Sequence, residues 1–192
     1  MTLEELYRIL NGNNPSEELR RKEIKLFKLI PELKDCKGCE QNNKWHIYDV
    51  YEHIMHVVDN TPSTAQMRLA ALFHDIGKPL ARTTDENGVD HFNKHYEFSK
   101  KIFDKFCAKN KVDKITRIKV SRLIWFHDVD ISRLSDEQID RIVRLFSQHE
   151  IELLFSLKRA DLLAQNPDYH YLLSKYEEEK EMLLNKYIKR VK

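Results

Sequence analysis

The sequence contains few of the residues that make turns. Only 4 glycines and 5 prolines occur among 192 residues, while 33% of the residues are charged. This scarcity disfavours a sandwich or barrel of short strands and favours long helices. With 41% hydrophobic residues, the chain can bury a core, which disfavours a disordered protein. The length is enough for one compact domain and barely enough for two.

Other absences narrow the function classes. No apolar run approaches the roughly 18 residues of a membrane span, and the acidic, amphipathic start MTLEELYRILNG does not resemble a signal peptide. The 3 cysteines, an odd number, predict a reducing compartment, the cytoplasm, rather than a disulfide framework. A formal net charge of +2 excludes the overall excess of a polybasic protein.

Apolar residues recur at helical spacing. After Ser135, positions 139, 142, 143 and 146 form one helix face, and Ser135 with Gln138 predicts a capping box. We predict a single all-α bundle of about seven to nine helices over residues 1–192. The further segments predicted as helices are 2–10, 16–30, 47–60, 64–75, 92–109, 111–127, 148–164 and a last one beginning at Asn166-Pro167.

The segment Arg82–Val89 is polar and contains the turn signal Asn87-Gly88. It predicts a loop, and a short hairpin is the alternative.

The segment MRLAALFHDIGKP, residues 67–79, carries the strongest functional signal. Leu69–Phe73 are apolar all round, which predicts an interior helix that ends at His74-Asp75. A carboxylate at the end of a buried helix is costly unless it is compensated, and a metal ion bound by histidine and carboxylate provides compensation. The alternative is a helix end that has just reached solvent.

Four more ligand-type residues interrupt apolar helix faces in the same way. They are His53, His95, His127 and Asp161. A satisfied core histidine is the ordinary interpretation of any one of them. Because an unpaired buried polar group costs about 1–3 kcal/mol, five such interruptions on four or five helices favour a common site. Asp49, one turn before His53, is predicted to accept a hydrogen bond from its imidazole.

The pattern His53…His74-Asp75…Asp161 resembles the HD superfamily of metal-dependent phosphohydrolases, named for its His-Asp pair. The resemblance covers about residues 29–170 and is nearest to the HD domain of bacterial CCA-adding tRNA nucleotidyltransferases. The matching stretches are PELKDCKGCEQNNKWHIYDVYEHIMHVVDNTP, LAALFHDIGKP, ENGVDHFNKH and RADLLAQNP. The nucleotidyltransferase head of those enzymes, with its Gly-Gly-containing stretch, has no counterpart here. We therefore expect a free-standing HD domain that does not add CCA.

The resemblance implies a metal centre. The family's metal-binding quartet is matched by His53, His74, Asp75 and Asp161. The two additional histidines of HD proteins that hold two metals are matched by His95 and His127. The implied cofactor is one or two divalent ions that activate water. The ligand types do not select among manganese, cobalt, nickel, iron, zinc and magnesium.

The resemblance also implies a substrate and an activity. Asp75 and Lys78 match catalytic positions, and Lys78 matches the lysine that reaches the substrate phosphate. Gly77 lets the backbone pass close to the site. Arg82 is a candidate second phosphate contact, with a solvated loop arginine as the alternative. The implied reaction is hydrolysis of a phosphomonoester or phosphodiester, with a nucleotide, a 2′,3′-cyclic nucleotide or an RNA end as substrate.

Two other functions stay open. One is a nucleotide- or RNA-binding HD module that turns over little, and the other is a structural bundle whose histidines only pack. No membrane partner is expected, and the oligomeric state is not predicted.

The remaining chemistry-bearing residues have weaker interpretations. Cys36 and Cys39 form a CxxC without a second pair, which disfavours a thiol site. Trp45 and Trp125 stand close to motif histidines, where packing is the default interpretation and base stacking the alternative. Pocket-lining and surface roles are equally open for His46 and His91. The C-terminal run EEEKEMLLNKYIKRVK predicts a solvated helix face, with a basic strip for RNA as the alternative.

Overall fold

The helical periodicity of the sequence is realised as twelve α-helices in a computed structural model that describes residues 1–191. The helices are α1 Leu3–Leu10, α2 Pro15–Arg21, α3 Glu23–Leu29, α4 Leu33–Cys36, α5 Val50–Asn60, α6 Ala65–Phe73, α7 Lys78–Ala81, α8 His95–Asn110, α9 Lys114–Phe126, α10 Asp136–Leu145, α11 Gln148–Leu163 and α12 Leu173–Val191. Two 3₁₀ helices span Ile131–Arg133 and Pro167–Leu172, and two strands span β1 Thr83–Thr84 and β2 Asp90–His91. The all-α prediction is confirmed.

The helix count exceeds the predicted seven to nine. Two of the helices, α4 and α7, are single turns of 4 residues. The predicted helix 16–30 is two helices that meet at Lys22, whose backbone leaves the helical region with φ −107°. Neither glycine nor proline marks this break, so the periodicity alone does not reveal it. At Asn166 the side chain caps a 3₁₀ helix first, and α12 begins only at Leu173.

Side-chain caps fix where the helices start. Ser135 and Gln138 form the predicted capping box of α10, in which each side chain bonds the backbone N–H of the other residue at 3.3 and 2.9 Å. Ser147 and Glu150 make a second one at the start of α11. Each such cap contributes about 1 kcal/mol. The start of α11 matters for the site, because this helix carries Asp161.

The prediction of a loop over Arg82–Val89 is wrong, and the alternative hairpin is present. β1 and β2 pair antiparallel, with Thr83 opposite His91, and Gly88 takes the turn with φ +76°. Asp90 explains the pairing. It is buried, and its carboxylate accepts hydrogen bonds from Thr84 and Arg82.

The helix α6 lies at the centre of the bundle, as the apolar run predicts. It packs against α1, α5, α8, α9 and α11, and every residue from Met67 to Phe73 is buried. The chain that leaves its C-terminus therefore enters the interior, which is where His74 and Asp75 lie. In residues 1–191 no helix is both long and apolar enough to cross a membrane.

Candidate metal centre

Four buried histidines are held in the same way by backbone carbonyls. The Nδ1 atom of His74 lies 2.7 Å from Ala71 O, that of His95 2.9 Å from Phe92 O, and that of His127 2.8 Å from Ile124 O. His53 Nδ1 lies 3.3 Å from Ala164 O. A carbonyl oxygen only accepts hydrogen bonds, so Nδ1 carries the hydrogen in each ring. Each neutral imidazole therefore presents the lone pair of Nε2, which is the form that binds metals.

The first group of donors comes from two helices, α5 and α11, and from the end of a third, α6. We call His53, His74, Asp75 and Asp161 the quartet. His53 Nε2 lies 3.0 Å from Asp161 Oδ1 and 3.3 Å from Asp75 Oδ2. His74 Nε2 lies 3.3 Å from the same Asp75 oxygen. All four residues are buried, and one donor atom from each lies within 4.8 Å of the others.

A second group shares Asp75. Its other oxygen, Oδ1, lies 3.1 Å from His95 Nε2 and 3.5 Å from His127 Nε2. We call Asp75, His95 and His127 the second group, and their donor atoms also lie within 4.8 Å of one another. Each of the two oxygens of this carboxylate thus faces a different pair of imidazoles. This arrangement is suited to two ions bridged by a carboxylate.

The donor set fits a cation. Asp75 Oδ1 is buried and, among the described residues, has no hydrogen-bond donor. The Nε2 atoms of His95 and His127 face each other at 3.2 Å, and those of His53 and His74 at 3.4 Å. Two nitrogen lone pairs so close repel unless positive charge lies between or beside them. A divalent ion in each group would satisfy these atoms with the ligand types that transition metals prefer.

The electrostatics of the carboxylates point the same way. Burial raises the pKa of Asp75, but the charges of His74 and Lys78 outweigh it and hold the pKa well below its ordinary value. For Asp161, burial is likewise outweighed by the hydrogen bond and charge of His53, and the pKa is lowered. Burial lowers the pKa of His53, yet hydrogen bonds with Asp161 and Asp75 raise it to about 9. The centre therefore keeps two negative charges at neutral pH and favours a cation at Nε2 of His53. A bound metal ion would take the place of the proton there and leave the imidazole neutral.

Lys78 lies beside the quartet. It is 5% exposed, and its Nζ donates to Asp75 Oδ2 at 2.7 Å and to Gln41 Oε1 at 2.7 Å. A third contact, at 3.1 Å, is with His46 Nε2. The ammonium is thus fixed at the edge of the centre by two neutral groups and one carboxylate.

Gly77 allows the close packing that brings α8 to the site. Its N–H donates to Ser99 Oγ at 2.9 Å. A Cβ at position 77 would lie 2.5 Å from His95 O and 2.7 Å from Phe98 Cβ, closer than atoms approach in proteins. Only glycine lets His95 sit next to Asp75 here.

Three supporting residues escaped the sequence prediction. Gln165 donates to Asp161 Oδ1 at 3.1 Å. Lys158, 2% exposed, donates to the carbonyls of His127 and Val129 at 3.0 and 2.8 Å and so holds the backbone of the second group. Gln41 holds Lys78. Lys158 had a detectable signal, because it interrupts an apolar helix face one turn before Asp161.

The predicted role of Asp49 is wrong. Its Oδ1 accepts from Glu52 N at 2.7 Å and its Oδ2 from Gly38 N at 2.8 Å. Helix α5 begins at Val50, so Asp49 is its N-cap, and an N-cap carboxylate turns toward the free N–H groups of the first turn. The Ala164 carbonyl orients His53 instead.

Arg82 contacts Asp90 rather than the two metal-ligand groups. Its Nε and Nη2 donate to the two oxygens of Asp90 at 3.0 and 2.8 Å, which pins the hairpin. A phosphate contact by Arg82 stays a prediction.

The other candidates lie as follows. Cys36 and Cys39 are free and buried, and burial raises the pKa of the Cys36 thiol well above its ordinary value. His46 lies at Lys78, whereas His91 pairs with Asp85 at the surface.

The comparisons with known proteins agree with the motifs. A model of the HD domain family matches residues 45–166. A CC-adding tRNA nucleotidyltransferase of Thermus thermophilus is 30% identical over 159 residues, which cover 76% of this chain and 31% of that protein. A multifunctional CCA protein of Shewanella frigidimarina is 29% identical over 130 residues, 64% of this chain and 30% of that protein. The chain spans about a third of the length of these curated relatives.

Proposed function

The chain belongs to the HD domain family, as the motifs around His74 and Asp75 predicted, and from this membership we propose that it is a metal-dependent phosphohydrolase. It hydrolyses a phosphomonoester or phosphodiester, and the substrate is a nucleotide, a 2′,3′-cyclic nucleotide or an RNA end. One relative is named a CC-adding tRNA nucleotidyltransferase, which supports this class of substrate. The convergence of the quartet and the second group on the two oxygens of Asp75 carries the proposal.

The quartet would hold one divalent ion and the second group another, with Asp75 as the shared ligand. A bound ion supplies Lewis-acid chemistry, since it acidifies water and neutralises charge on phosphate oxygens. The protein's part is to fix the donors. Each imidazole is locked by a backbone carbonyl, so no ring rotates when substrate arrives.

Lys78 binds a phosphate oxygen in this proposal. Its ammonium already lies 2.7 Å from Asp75 Oδ2, so an anionic group next to the centre is within its reach. Gln41 and His46 hold it there through neutral groups, so of its three contacts only the one with Asp75 involves a negative charge. Charge that develops on the phosphate oxygens is then met by a preorganised cation in a buried site. Arg82 becomes a second phosphate contact only by giving up part of its pairing with Asp90.

The proposed setting is a reducing compartment, the cytoplasm, in keeping with three free thiols. The proposed reaction needs only one phosphate ester at the centre. It does not require contacts with an RNA chain beyond its terminal nucleotide.

The experiment compares the wild type with Asp75→Ala and Asp75→Asn. Untagged protein is analysed for bound metal, and phosphate release is screened over nucleotides and cyclic nucleotides with several divalent ions. We expect both variants to lose activity and bound metal, because each removes a charge that faces both groups.

Full activity in Asp75→Ala would reject the assignment. Substrate binding without turnover across all the ions would favour the alternative, a weakly catalytic binding module. A wild type that binds no metal would favour the structural bundle.

A further inference from the structure

A pair of aromatic side chains, one exposed and one half-buried, lies on the segments that border the quartet. The rings of Trp45 and Tyr169 pack with centroids 4.0 Å apart at 45°. The Lys44 ammonium lies 5.0 Å from the centroid of Trp45 and 5.9 Å from that of Tyr169. We call Lys44, Trp45 and Tyr169 the aromatic wall. Trp45 is still 37% exposed, so packing against Tyr169 leaves part of the indole open.

One side of the aromatic wall is connected to the catalytic lysine. Trp45 is followed directly by His46, whose Nε2 lies 3.1 Å from Lys78 Nζ. The His46 ring lies 5.3 Å from that of His53. Adjacent Cα atoms are about 3.8 Å apart, so the backbone of Trp45 lies one residue outside the centre.

The other side is connected to the quartet through Asn166. Its backbone N–H donates to Trp45 O at 2.8 Å, and its side-chain amide donates to Lys44 O at 3.1 Å. Asn166 stands two residues after Ala164, whose carbonyl orients His53. The aromatic wall is therefore built on the same two chain segments that position the site.

We propose that the aromatic wall is a nucleobase subsite. The base of a nucleotide stacks on the open surface of Trp45 while its phosphate lies at Lys78 and the quartet. The phosphate half of this arrangement rests on the proposed function. Every base presents a π face, and stacking on an aromatic side chain strengthens binding by about 5- to 150-fold per base. The cation beside the rings adds attraction for the π system of the base.

Binding without turnover tests the subsite. Adenosine monophosphate and ribose 5-phosphate are titrated calorimetrically into the full chain in the presence of a chelator. The two ligands share sugar and phosphate and differ only in the base. We expect at least about tenfold tighter binding of the nucleotide, in line with the value of one stacked base. Trp45→Ala should reduce nucleotide affinity to that for the sugar phosphate, and Trp45→Phe should retain most of the difference.

Trp125 supplies the matched control. It is 36% exposed and meets Tyr96 edge-on at 5.0 Å, so it is a tryptophan of similar exposure outside the aromatic wall. Trp125→Phe should bind both ligands like the wild type. It also leaves Trp45 as the single tryptophan, whose fluorescence should be quenched by the nucleotide and not by the sugar phosphate. This readout keeps the test intact if Trp45→Ala fails to fold.

Equal affinity for the two ligands, an equal loss for both in Trp45→Ala, or no binding of either would overturn the subsite. Hydrolysis that proceeds equally well on adenosine monophosphate and ribose 5-phosphate would uphold the proposed function and reject the subsite. Base-selective binding with no hydrolysis under any divalent ion would do the reverse.

Discussion

Replacing Lys158 by methionine should separate the two halves of the metal centre. The substitution keeps most of the buried stem but removes the ammonium that donates to His127 O at 3.0 Å and Val129 O at 2.8 Å. These carbonyls lie just beyond the C-terminus of α9, and losing a buried donor costs about 1–3 kcal/mol for each of them. Burial lowers the pKa of Lys158 because a buried charge loses its hydration. Removing the charge removes this desolvation cost, which offsets part of the loss.

The expected consequence is local. His127 belongs to the second group, whereas Asp161 keeps its own partner, Gln165. Loss of a residue that orients a metal ligand weakens metal binding by about 10- to 100-fold. Titration calorimetry with a divalent ion should show the affinity of the second group weakened by that factor and the affinity of the quartet unchanged.

Two variants make the result interpretable. Lys175→Met removes another lysine near the same loop, one that pairs with Asp130 at 2.8 Å and is 37% exposed at its side chain, and it should leave both affinities unchanged. The double variant His95→Ala, His127→Ala should bind one ion fewer than the wild type and defines the one-ion titration. Equal weakening of both equivalents in Lys158→Met, or no change in either, would show that Lys158 does not act through His127. A wild type that binds a single ion would refute the two-ion arrangement itself.

Three further predictions concern the elements around the centre. Gly77→Ala should lower the free energy of unfolding in urea by about 1–3 kcal/mol or more, because its Cβ would lie 2.5 Å from His95 O; an unchanged midpoint would contradict the packing described. The pKa of Asp90 is lowered to about 2, since the Arg82 ion pair and further hydrogen bonds outweigh burial. The stability it contributes is complete above the unfolded pKa of about 3.9 and should be lost as the pH falls toward 2, a loss that Asp90→Asn should lack in acid denaturation curves. Lys78→Ala should keep its bound metal and release phosphate more slowly. Loss of the metal instead would show that this lysine is needed for metal binding.

The sequence predicted the parts of the site that depend on single residues in helices. The run Leu69–Phe73 has no polar side chain on any face, so it predicted an interior helix, and α6 is buried as expected. The ligand-type interruptions at His53, His127 and Asp161 were visible for the same reason. The structure brings His53 and Asp161 together with Asp75 in the quartet, and His127 together with Asp75 in the second group. Their role as ligands stays a proposal.

What escaped prediction depends on the backbone. Asp49 lies four residues before His53 and would be its neighbour in a continuous helix, but α5 begins between them, and the start of a helix is uncertain by several residues from sequence. The group that does orient His53, the Ala164 carbonyl, has no signature, because every residue carries a carbonyl. The loop prediction over Arg82–Val89 failed because Asp90, the carboxylate that organises the hairpin, lies one residue beyond that polar stretch.

The carbonyl contacts explain how these histidines come to present acceptor nitrogens. In His74, His95 and His127 the Nδ1–H donates to the carbonyl three residues earlier. At the end of a helix the last carbonyls lack intrahelical partners, so a histidine that follows α6 or α9 completes its own helix while its Nε2 is directed forward. The same contact excludes the tautomer that would place a hydrogen on Nε2 of the neutral ring. A histidine directly after a packed helix is therefore preorganised as an acceptor, and α6 and α9, whose ends meet at Asp75, would each supply one such nitrogen to a cation.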